Sequence, residues 1–179
     1  DARRHCRVLA ARRPATIDGL HRDLSAFRRS LPLPLPDGTR DVISYPGVFA
    51  GGKLDPGTAM LLEALTPIEA GMRVLDFACG AGIIAGCLSR QQPAAELWMT
   101  DVDAIALAAA AENAPAASGI CGDRWGSIQG NRQFDRIVSN PPIHEGKGRT
   151  YGVLTDLIEG APDRLRPGGQ LWLVAQRQI

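Results

Sequence analysis

From residue 58 onwards, short apolar runs alternate with segments of helical spacing, and this alternation limits the fold more than any other feature. The apolar runs cover 73–78, 96–102, 118–123, 134–140 and 170–176. Helical spacing is found at 58–68, 82–90, 103–114 and 154–165. Each run is almost continuously apolar, as expected of a strand buried on both faces of a parallel sheet. The sequence therefore predicts an α/β domain with a doubly wound, mainly parallel sheet.

In doubly wound sheets, ligands bind beyond the carboxyl ends of the strands, where the strand order reverses. The first predicted strand ends in a turn at residues 79–82 that contains Gly80 and Gly82. Glycine lacks a side chain, so the backbone there can turn sharply and approach a ligand closely. The turn lacks the Lys-Ser/Thr pair of a Walker A loop. Two glycines alone fit a generic tight turn as well as a cofactor-binding loop.

Acidic residues follow the second and third predicted strands. Asp101 lies 19 residues after Gly82, and a carboxylate at this position can accept two hydrogen bonds from a ribose diol. Asp103 precedes an Ala-rich helical segment and is predicted to cap it, as Asp55 or Thr58 would cap the first helix. Asp123 could accept a hydrogen bond from an adenine amino group, or it is a solvated turn carboxylate.

The fourth predicted strand ends at Asn140-Pro141-Pro142-Ile143. Two prolines fix an extended backbone without N–H donors, which leaves the nearby carbonyl groups as acceptors. Together with the Asn140 side-chain oxygen, such a carbonyl can hold both hydrogens of an exocyclic NH2 group. The alternative is that Pro-Pro only ends the strand and Asn140 is a turn residue.

The first 40 residues are basic, with nine Arg and four Asp for a net charge of +5, against −4 for residues 41–179. This asymmetry is typical of a basic arm that contacts nucleic acid, although a general bias toward Arg would also produce it. One or two helices are predicted within 3–30, and the prolines of 31–38 predict a linker. We therefore expect a basic, partly helical segment with its linker at 1–38 and a separate domain at 39–179.

Composition excludes several classes of protein. Hydrophobic residues make up 45% and charged residues 22% of the chain, which is ordinary globular usage. No run reaches the ~18 apolar residues that a membrane helix needs, and no secretory segment opens the sequence. The four cysteines show no metal-ligand spacing and fit buried thiols in a reducing compartment. We expect a soluble cytoplasmic protein without a metal site.

Several stretches together resemble one known family. They are VLDFACGAG (74–82), Asp101, Gly122-Asp123, VSNPPIHEG (138–146) and GVFAGGKLDPGTAMLLEAL (47–65). In these the sequence is similar to class I S-adenosylmethionine-dependent methyltransferases of the "methyltransferase small" group, and above all to bacterial ribosomal RNA guanine-N2 methyltransferases. The glycine turn is generic to the superfamily, whereas NPP followed by His-Glu-Gly is the specific part.

The resemblance implies a Rossmann-like fold and a role for each matching residue. The methionine and ribose side of S-adenosylmethionine would be lined by Asp76, Cys79, Gly80 and Gly82. The ribose diol would be bound by Asp101 and the adenine by Asp123. The resemblance places the target amine against Asn140 and the Pro141 carbonyl, with Pro142 completing the motif. Ile143 and His144 would contact the substrate, which would be ribosomal RNA or a ribosomal subunit.

The sequence departs from the family in three respects. The position of Ile143 usually holds an aromatic residue that stacks on the target base, and Trp125 is a candidate substitute unless it is a core residue. The chain also stops after its fifth predicted strand, where the family continues into an antiparallel hairpin. A basic segment of about 40 residues stands where family members usually have a second, degenerate domain.

Two alternatives to ribosomal RNA methylation stay open. The acceptor amine could belong to a protein glutamine, a DNA adenine or a small molecule, although the His-Glu-Gly continuation argues against these. Alternatively, the chain is a degenerate module that binds RNA or a partner without catalysis. Ile143 and the missing C-terminal hairpin favour this alternative, and the intact Asp101 and Asn140 disfavour it. The sequence makes no prediction about the oligomeric state.

Overall fold

The computed structural model describes residues 2–3, 6–7, 10–13, 15, 19, 23–142 and 152–175. The strands are β1 (Ala2–Arg3), β2 (Cys6–Arg7), β3 (Arg29–Leu35), β4 (Gly38–Ser44), β5 (Arg73–Phe77), β6 (Glu96–Asp101), β7 (Ser118–Cys121), β8 (Phe134–Ser139) and β9 (Leu165–Leu173). The α-helices are α1 (Pro56–Ala64), α2 (Ile83–Gln91), α3 (Ala104–Asn113) and α4 (Gly152–Arg164). Short 3-10 helices occur at Leu24–Phe27, Phe49–Gly52 and Arg124–Ser127.

Five strands form one parallel sheet in the order β7-β6-β5-β8-β9. Successive residues of the central strand β5 point to opposite faces, so both faces need cover. Val74 packs in one cluster with Leu61 and Leu88 from α1 and α2, whereas Leu75 packs with Leu157 from α4 on the other side. The predicted doubly wound α/β fold is confirmed. The strand order reverses between β5 and β8, which opens a crevice at their carboxyl ends.

The caps of two helices agree with the sequence. Asp55 caps α1 by accepting a hydrogen bond from the Thr58 N–H at 3.1 Å. Asp103 caps α3 by accepting from the Ile105 N–H at 2.8 Å. Each carboxylate satisfies an N–H group that has no partner within its own helix. The predicted helix starts are therefore close to the observed ones.

The last strand begins earlier than its apolar run. β9 also includes residues 166–169, which lie between the predicted helix and the apolar run, because its pairing with β8 passes from Phe134↔Leu165 to Arg136↔Gln170. Four residues of β9 thus stand opposite Asp135 alone. The backbone passes close to β8 at Gly169, where an added Cβ would lie 3.1 Å from the Phe134 carbonyl oxygen. Residues 166–169 therefore form an irregularity inside the strand.

The predicted linker at 31–38 is wrong, because this segment forms β3 and the turn that follows. β3 pairs with β4 in an antiparallel hairpin that extends from Arg29↔Ser44 to Leu35↔Gly38. Its leucines and prolines alternate, so Leu33 and Leu35 are buried while Pro32 and Pro34 are exposed. Proline is tolerated because a two-stranded hairpin leaves one edge of each strand unpaired. The leucines pack with Ile83 and Cys87 of α2.

The segment before the hairpin contains little helix in the residues described. The predicted helices of 3–30 correspond there to a single 3-10 turn at Leu24–Phe27, and β1 pairs with β2. A division of the chain at residue 38 stays a prediction. None of the helices in the described part of the chain is long and apolar enough to cross a membrane.

Truncation of Leu33 tests whether the hairpin belongs to the folded core. Leu33→Ala should lower the free energy of unfolding by about 2 kcal/mol or more, because it removes buried methyl groups and leaves a cavity. Urea unfolding followed by circular dichroism measures this change. Pro34→Ala, on the exposed side of the same strand, should change it by less than ~1 kcal/mol. Equal effects of the two substitutions would mean that the segment behaves as a linker.

Candidate active site

A cavity of about 640 Å³ lies at the carboxyl ends of the parallel strands, where the strand order reverses. Most of the predicted site residues line it: Cys79, Gly80, Asp101, Asp123, Asn140, Pro141 and Pro142. Asp76 and Gly82 lie beside the cavity in the same strand and turn but do not line it. Ile143 and His144 lie outside the described residues. The structure thus brings together residues that are up to 63 positions apart in the sequence, from Cys79 to Pro142.

The turn after β5 depends on left-handed backbone. Ala78, Gly80 and Gly82 have φ values of 56°, 53° and 72°. At Gly82, an added Cβ would lie 2.8 Å from the Cβ of Ala110, so this glycine allows α2 and α3 to pack closely. At Gly80, an added Cβ would meet nothing within 4 Å. Gly80 therefore serves the turn itself and leaves its backbone open to the cavity.

Asp101 links this turn to the end of β6 through hydrogen bonds. Its Oδ2 accepts a hydrogen bond from the Gly80 N–H at 2.8 Å, and its Oδ1 accepts from the Asp103 N–H at 2.9 Å. The Cys79 N–H donates to the Thr100 carbonyl at 3.0 Å and adds a second link. A carboxylate oxygen can accept more than one hydrogen bond. Asp101 is thus held in a fixed orientation and keeps acceptor capacity toward the cavity.

Asp76 is buried beneath the same turn. Its Oδ2 accepts from the Ala85 N–H in the first turn of α2 at 3.1 Å. Its Oδ1 has no hydrogen-bond partner among the residues that the structure describes. Burial raises the pKa of Asp76 to about 7, against the opposing hydrogen bond from Ala85 and with a contribution from the Asp101 charge. Its predicted contact with a cofactor stays a prediction.

Cys79 lines the cavity as a neutral thiol. Desolvation by burial raises its pKa far above the ordinary value, and the neighbouring carboxylates of Asp76 and Asp101 act in the same direction. Only the thiolate is a strong nucleophile. Cys79 therefore contributes shape to the cavity wall and is not a nucleophile at neutral pH.

Asn140 is held by residues from the segment before the sheet. Its Nδ2 donates to Asp55 Oδ2 at 2.8 Å and to Thr58 Oγ1 at 2.9 Å. The sequence predicts Asp55 or Thr58 only as a helix cap, and the contact with Asn140 was missed because it spans 85 residues. The following Pro141 and Pro142 have no N–H, so they add only carbonyl acceptors to the cavity wall.

The aromatic residues around the site divide into buried and exposed ones. Trp125 packs on Phe77 with 4.6 Å between ring centroids and donates from Nε1 to the Asp156 carbonyl. It is half-buried and packs against the core, so its ring is engaged there and is not a free stacking surface. Phe49 lines the cavity and is 65% exposed. Phe49 lies within 47–65, but no motif in the sequence marks it as a site residue.

Asp123 is exposed to solvent, whereas Asp101 and Asn140 are half-buried. Its side chain is 77% exposed and forms an ion pair with Arg124, whose Nε lies 3.4 Å from Oδ1. Arg124 also binds Asp156 of α4. These contacts place Asp123 at the rim of the cavity. A role in adenine binding stays a prediction.

The described residues contain no group of three or more His, Cys, Asp or Glu side chains that could hold a metal ion.

Residues 39–179 match the methyltransferase small domain. The chain belongs to the methyltransferase small domain family. The resemblance inferred from the sequence motifs is thereby confirmed, since the matched region contains the glycine turn, Asp101 and the NPP motif.

Curated relatives in this family are named ribosomal RNA small subunit methyltransferase C. The protein of Stutzerimonas stutzeri (strain A1501) is 41% identical over 182 residues, which cover 98% of this chain and 52% of that protein. The protein of Pseudomonas aeruginosa (strain LESB58) is 40% identical over 181 residues, with the same coverage. The chain thus spans about half the length of the curated relatives it matches.

A solved structure of a similar protein is the T. thermophilus 16S rRNA N2 G1207 methyltransferase (RsmC), in complex with AdoMet and guanosine. It is 29% identical, has a TM-score of 0.76, and the match covers 84% of this chain and 43% of that one. TrmN from Thermus thermophilus is 30% identical with a TM-score of 0.54, over 64% of this chain and 36% of that one. Both likenesses agree with the methyltransferase fold.

The burial of Asp76 predicts a pH dependence of stability. The unfolded chain releases this proton near the ordinary pKa of 3.8, whereas the folded protein keeps it up to about pH 7. Between these values the folded state binds more protons, so the Asp76 contribution to the free energy of unfolding falls as pH rises. Asp76→Asn cannot ionise, so its free energy of unfolding should lack this decrease with rising pH.

Urea unfolding at pH 5 and pH 8 measures the effect. The stability of Asp76→Asn relative to the unsubstituted chain should improve by about 3 kcal/mol between the two pH values, from ~1.4 kcal/mol per pH unit between pH 5 and the folded-state pKa of about 7. The control Asp163→Asn removes an exposed carboxylate and should show no such trend. An unchanged difference for Asp76→Asn would mean that the buried carboxyl is already ionised at pH 5.

Proposed function

We propose that this chain binds S-adenosylmethionine and transfers its methyl group to an exocyclic amine, with guanine N2 of ribosomal RNA as the acceptor. The observation that carries this proposal is the meeting of two groups in one cavity. Asp101 and the glycine turn occupy the ends of β5 and β6, and Asn140-Pro141-Pro142 follows β8. A donor of methyl groups and a planar amine would therefore lie side by side.

The cavity fits the cofactor on the side of β5 to β7. Gly80 leaves its backbone accessible, and Asp101 presents a fixed carboxylate with acceptor capacity for the two hydroxyls of a ribose. Cys79 forms an adjoining wall, and Asp123 at the rim would accept from the adenine amino group. When bound, S-adenosylmethionine supplies an electrophilic methyl group.

Where the methyl-accepting amine would bind, the contribution of this chain is to position that amine. Asn140 Oδ1 and the Pro141 carbonyl would accept the two hydrogens of the target amine, which directs the nitrogen lone pair toward the methyl group. The nitrogen gains a C–N bond as the C–S bond breaks, and the extra proton then leaves to water. Holding a weak nucleophile in this geometry is a large source of rate enhancement. No covalent enzyme intermediate is needed, in agreement with the neutral Cys79.

Guanine of ribosomal RNA is favoured over the other amines by the comparisons. The relatives from Stutzerimonas and Pseudomonas carry the name of ribosomal RNA methyltransferases. The similar T. thermophilus structure is described with guanosine bound. The intact hydrogen bonds of Asn140 and Asp101 argue against a non-catalytic module.

The RNA partner also accounts for features outside the cavity. The net charge of +5 in residues 1–40 would attract the phosphate backbone, with an affinity that falls as salt rises. We propose a cytoplasmic location, because a ribosomal RNA or small-subunit substrate would be met there. His144 and Ile143 would contact the substrate next to the NPP motif.

Phe49 is proposed as the stacking surface for the target base. Ile143 offers no aromatic ring, and Trp125 is committed to the core. Phe49 is exposed on the wall of the same cavity that Asn140 lines. An aromatic ring there would contact the face of a guanine whose amine is held by Asn140.

Cofactor and acceptor binding can be tested separately. Isothermal calorimetry should show binding of S-adenosylhomocysteine to the chain and to its Asn140→Ala variant. Tritiated methyl transfer onto undermodified small ribosomal subunits should fall at least ~100-fold in that variant, because the amine loses its positioning group. The exposed Asn131→Ala should transfer at the original rate. Absence of calorimetric binding to the folded protein would contradict the cofactor proposal. Equal methyl transfer by Asn140→Ala would show that Asn140 has no role in the reaction.

Substitution of Phe49 tests the stacking proposal. Phe49→Ala should raise the KM for the ribosomal substrate about 10-fold or more, since base stacking contributes ~1–3 kcal/mol. Phe49→Trp keeps an aromatic face and should retain a KM near the original. The Kd for S-adenosylhomocysteine should stay constant in both variants. A raised Kd with an unchanged KM would assign Phe49 to the cofactor instead.

A further inference from the structure

We propose that Asp55 and Thr58 are positioning residues that fix the side-chain amide of Asn140 with its oxygen directed to the target amine. This inference rests on the proposed function, because it names what orients the acceptor group of that site. Asp55 and Thr58 both line the cavity with Asn140. They lie 85 and 82 residues before it in the sequence.

The identity of the atom that faces Asp55 follows from hydrogen-bond chemistry. An ionised carboxylate only accepts, so an amide oxygen at 2.8 Å from Asp55 Oδ2 would be repelled, and the Asn140 NH2 group must be on that side. Its second hydrogen goes to Thr58 Oγ1 at 2.9 Å. With both hydrogens engaged, Oδ1 is left as the acceptor that Asn140 can offer to a ligand.

Gly57 supplies an independent sign that this arrangement is tightly fitted. An added Cβ at Gly57 would lie 2.9 Å from Asp55 Oδ2 and 3.2 Å from Asn140 Oδ1. A side chain there would press on both the carboxylate and the amide oxygen. The absence of a side chain at position 57 therefore leaves space for the Asp55 carboxylate and the Asn140 amide.

Asp55 and the backbone that carries Asn140 are both held by hydrogen bonds to regular secondary structure. Asp55 is the cap of α1, where its Oδ2 also accepts from the Thr58 N–H at 3.1 Å. At the other side, Ser139 Oγ donates to the Phe77 carbonyl at 2.6 Å, and the Ser139 carbonyl accepts from the Val174 N–H at 3.0 Å. The backbone just before Asn140 is thus tied to β5 and to the residue after β9. Neither end of the Asp55–Asn140 contact is free to shift.

A fixed amide orientation selects the chemistry of the target. With Oδ1 directed to the ligand, the site accepts an N–H donor such as an exocyclic amine. With the amide reversed, it would present NH2 and pair with a carbonyl oxygen instead. Asp55 therefore discriminates between donor and acceptor groups without touching the substrate, at a site where misplacement is costly in rate.

Two substitutions remove the orienting groups and retain the helix. Asp55→Asn keeps a good N-cap but removes the charge and lets the facing amides pair in either orientation. We expect kcat for methyl transfer to fall about 10- to 100-fold, with the KM for the ribosomal substrate and the Kd for S-adenosylhomocysteine unchanged within about 2-fold. Thr58→Val should lower kcat ~10-fold, and Thr58→Ser should restore it because it returns the hydroxyl. Asp163→Asn, which removes an exposed carboxylate on α4, is the charge-matched control.

A readout independent of activity is the side-chain amide of Asn140 in ¹⁵N-labelled protein. Its two hydrogens, assigned by their loss in Asn140→Ala, should exchange slowly with solvent and should lose this protection in Asp55→Asn. Failure of the unsubstituted chain to methylate any subunit would count against the proposed function, while the protection result would still decide the orientation. Full kcat in a folded Asp55→Asn or Thr58→Val, or unprotected hydrogens in the unsubstituted chain, would overturn the inference.

Discussion

The hydrogen bond from the Gly80 N–H to the Asp101 carboxylate is the contact on which the rest of the site depends. It joins the turn after β5 to the end of β6 and holds the backbone in a left-handed conformation that few residues adopt readily. Because the neighbouring strands are parallel, their carboxyl ends meet at one edge of the sheet. The reversal of strand order between β5 and β8 then opens the cavity at that edge.

In each half of the cavity, a carboxylate accepts a hydrogen bond from an N–H group that belongs to a distant segment of the chain. Asp101 holds the glycine turn on one side, and Asp55 holds the amide of Asn140 on the other. Asp76 differs, because it is buried without a positively charged partner among the described residues and keeps its proton to about pH 7. Its position beneath the turn links the stability of the first turn of α2 to the shape of the cofactor side.

The sequence predicts the sheet and most of the site because those features are local. Period and apolar content identify each buried strand, and the glycine turn and NPP motif are contiguous in the chain. The hairpin was missed because the prolines of 31–38 indicate a break, although the Leu-Pro alternation has the period of a strand with Leu33 and Leu35 on its buried side. The contact of Asp55 with Asn140 and the commitment of Trp125 to the core depend on tertiary packing, which no local pattern contains.

A crystal structure of the chain with S-adenosylhomocysteine tests the methyltransferase assignment most directly. The ribose hydroxyls should lie within hydrogen-bond distance of the Asp101 carboxylate, with the backbone of Gly80 alongside and the sulfur on the side of Asn140. Such a complex would place the reacting methyl group between the cofactor half and the amine-binding half of one cavity. A ligand bound elsewhere at saturating concentration, or a ribose turned away from Asp101, would contradict the assignment of this cavity as the methyl-transfer site.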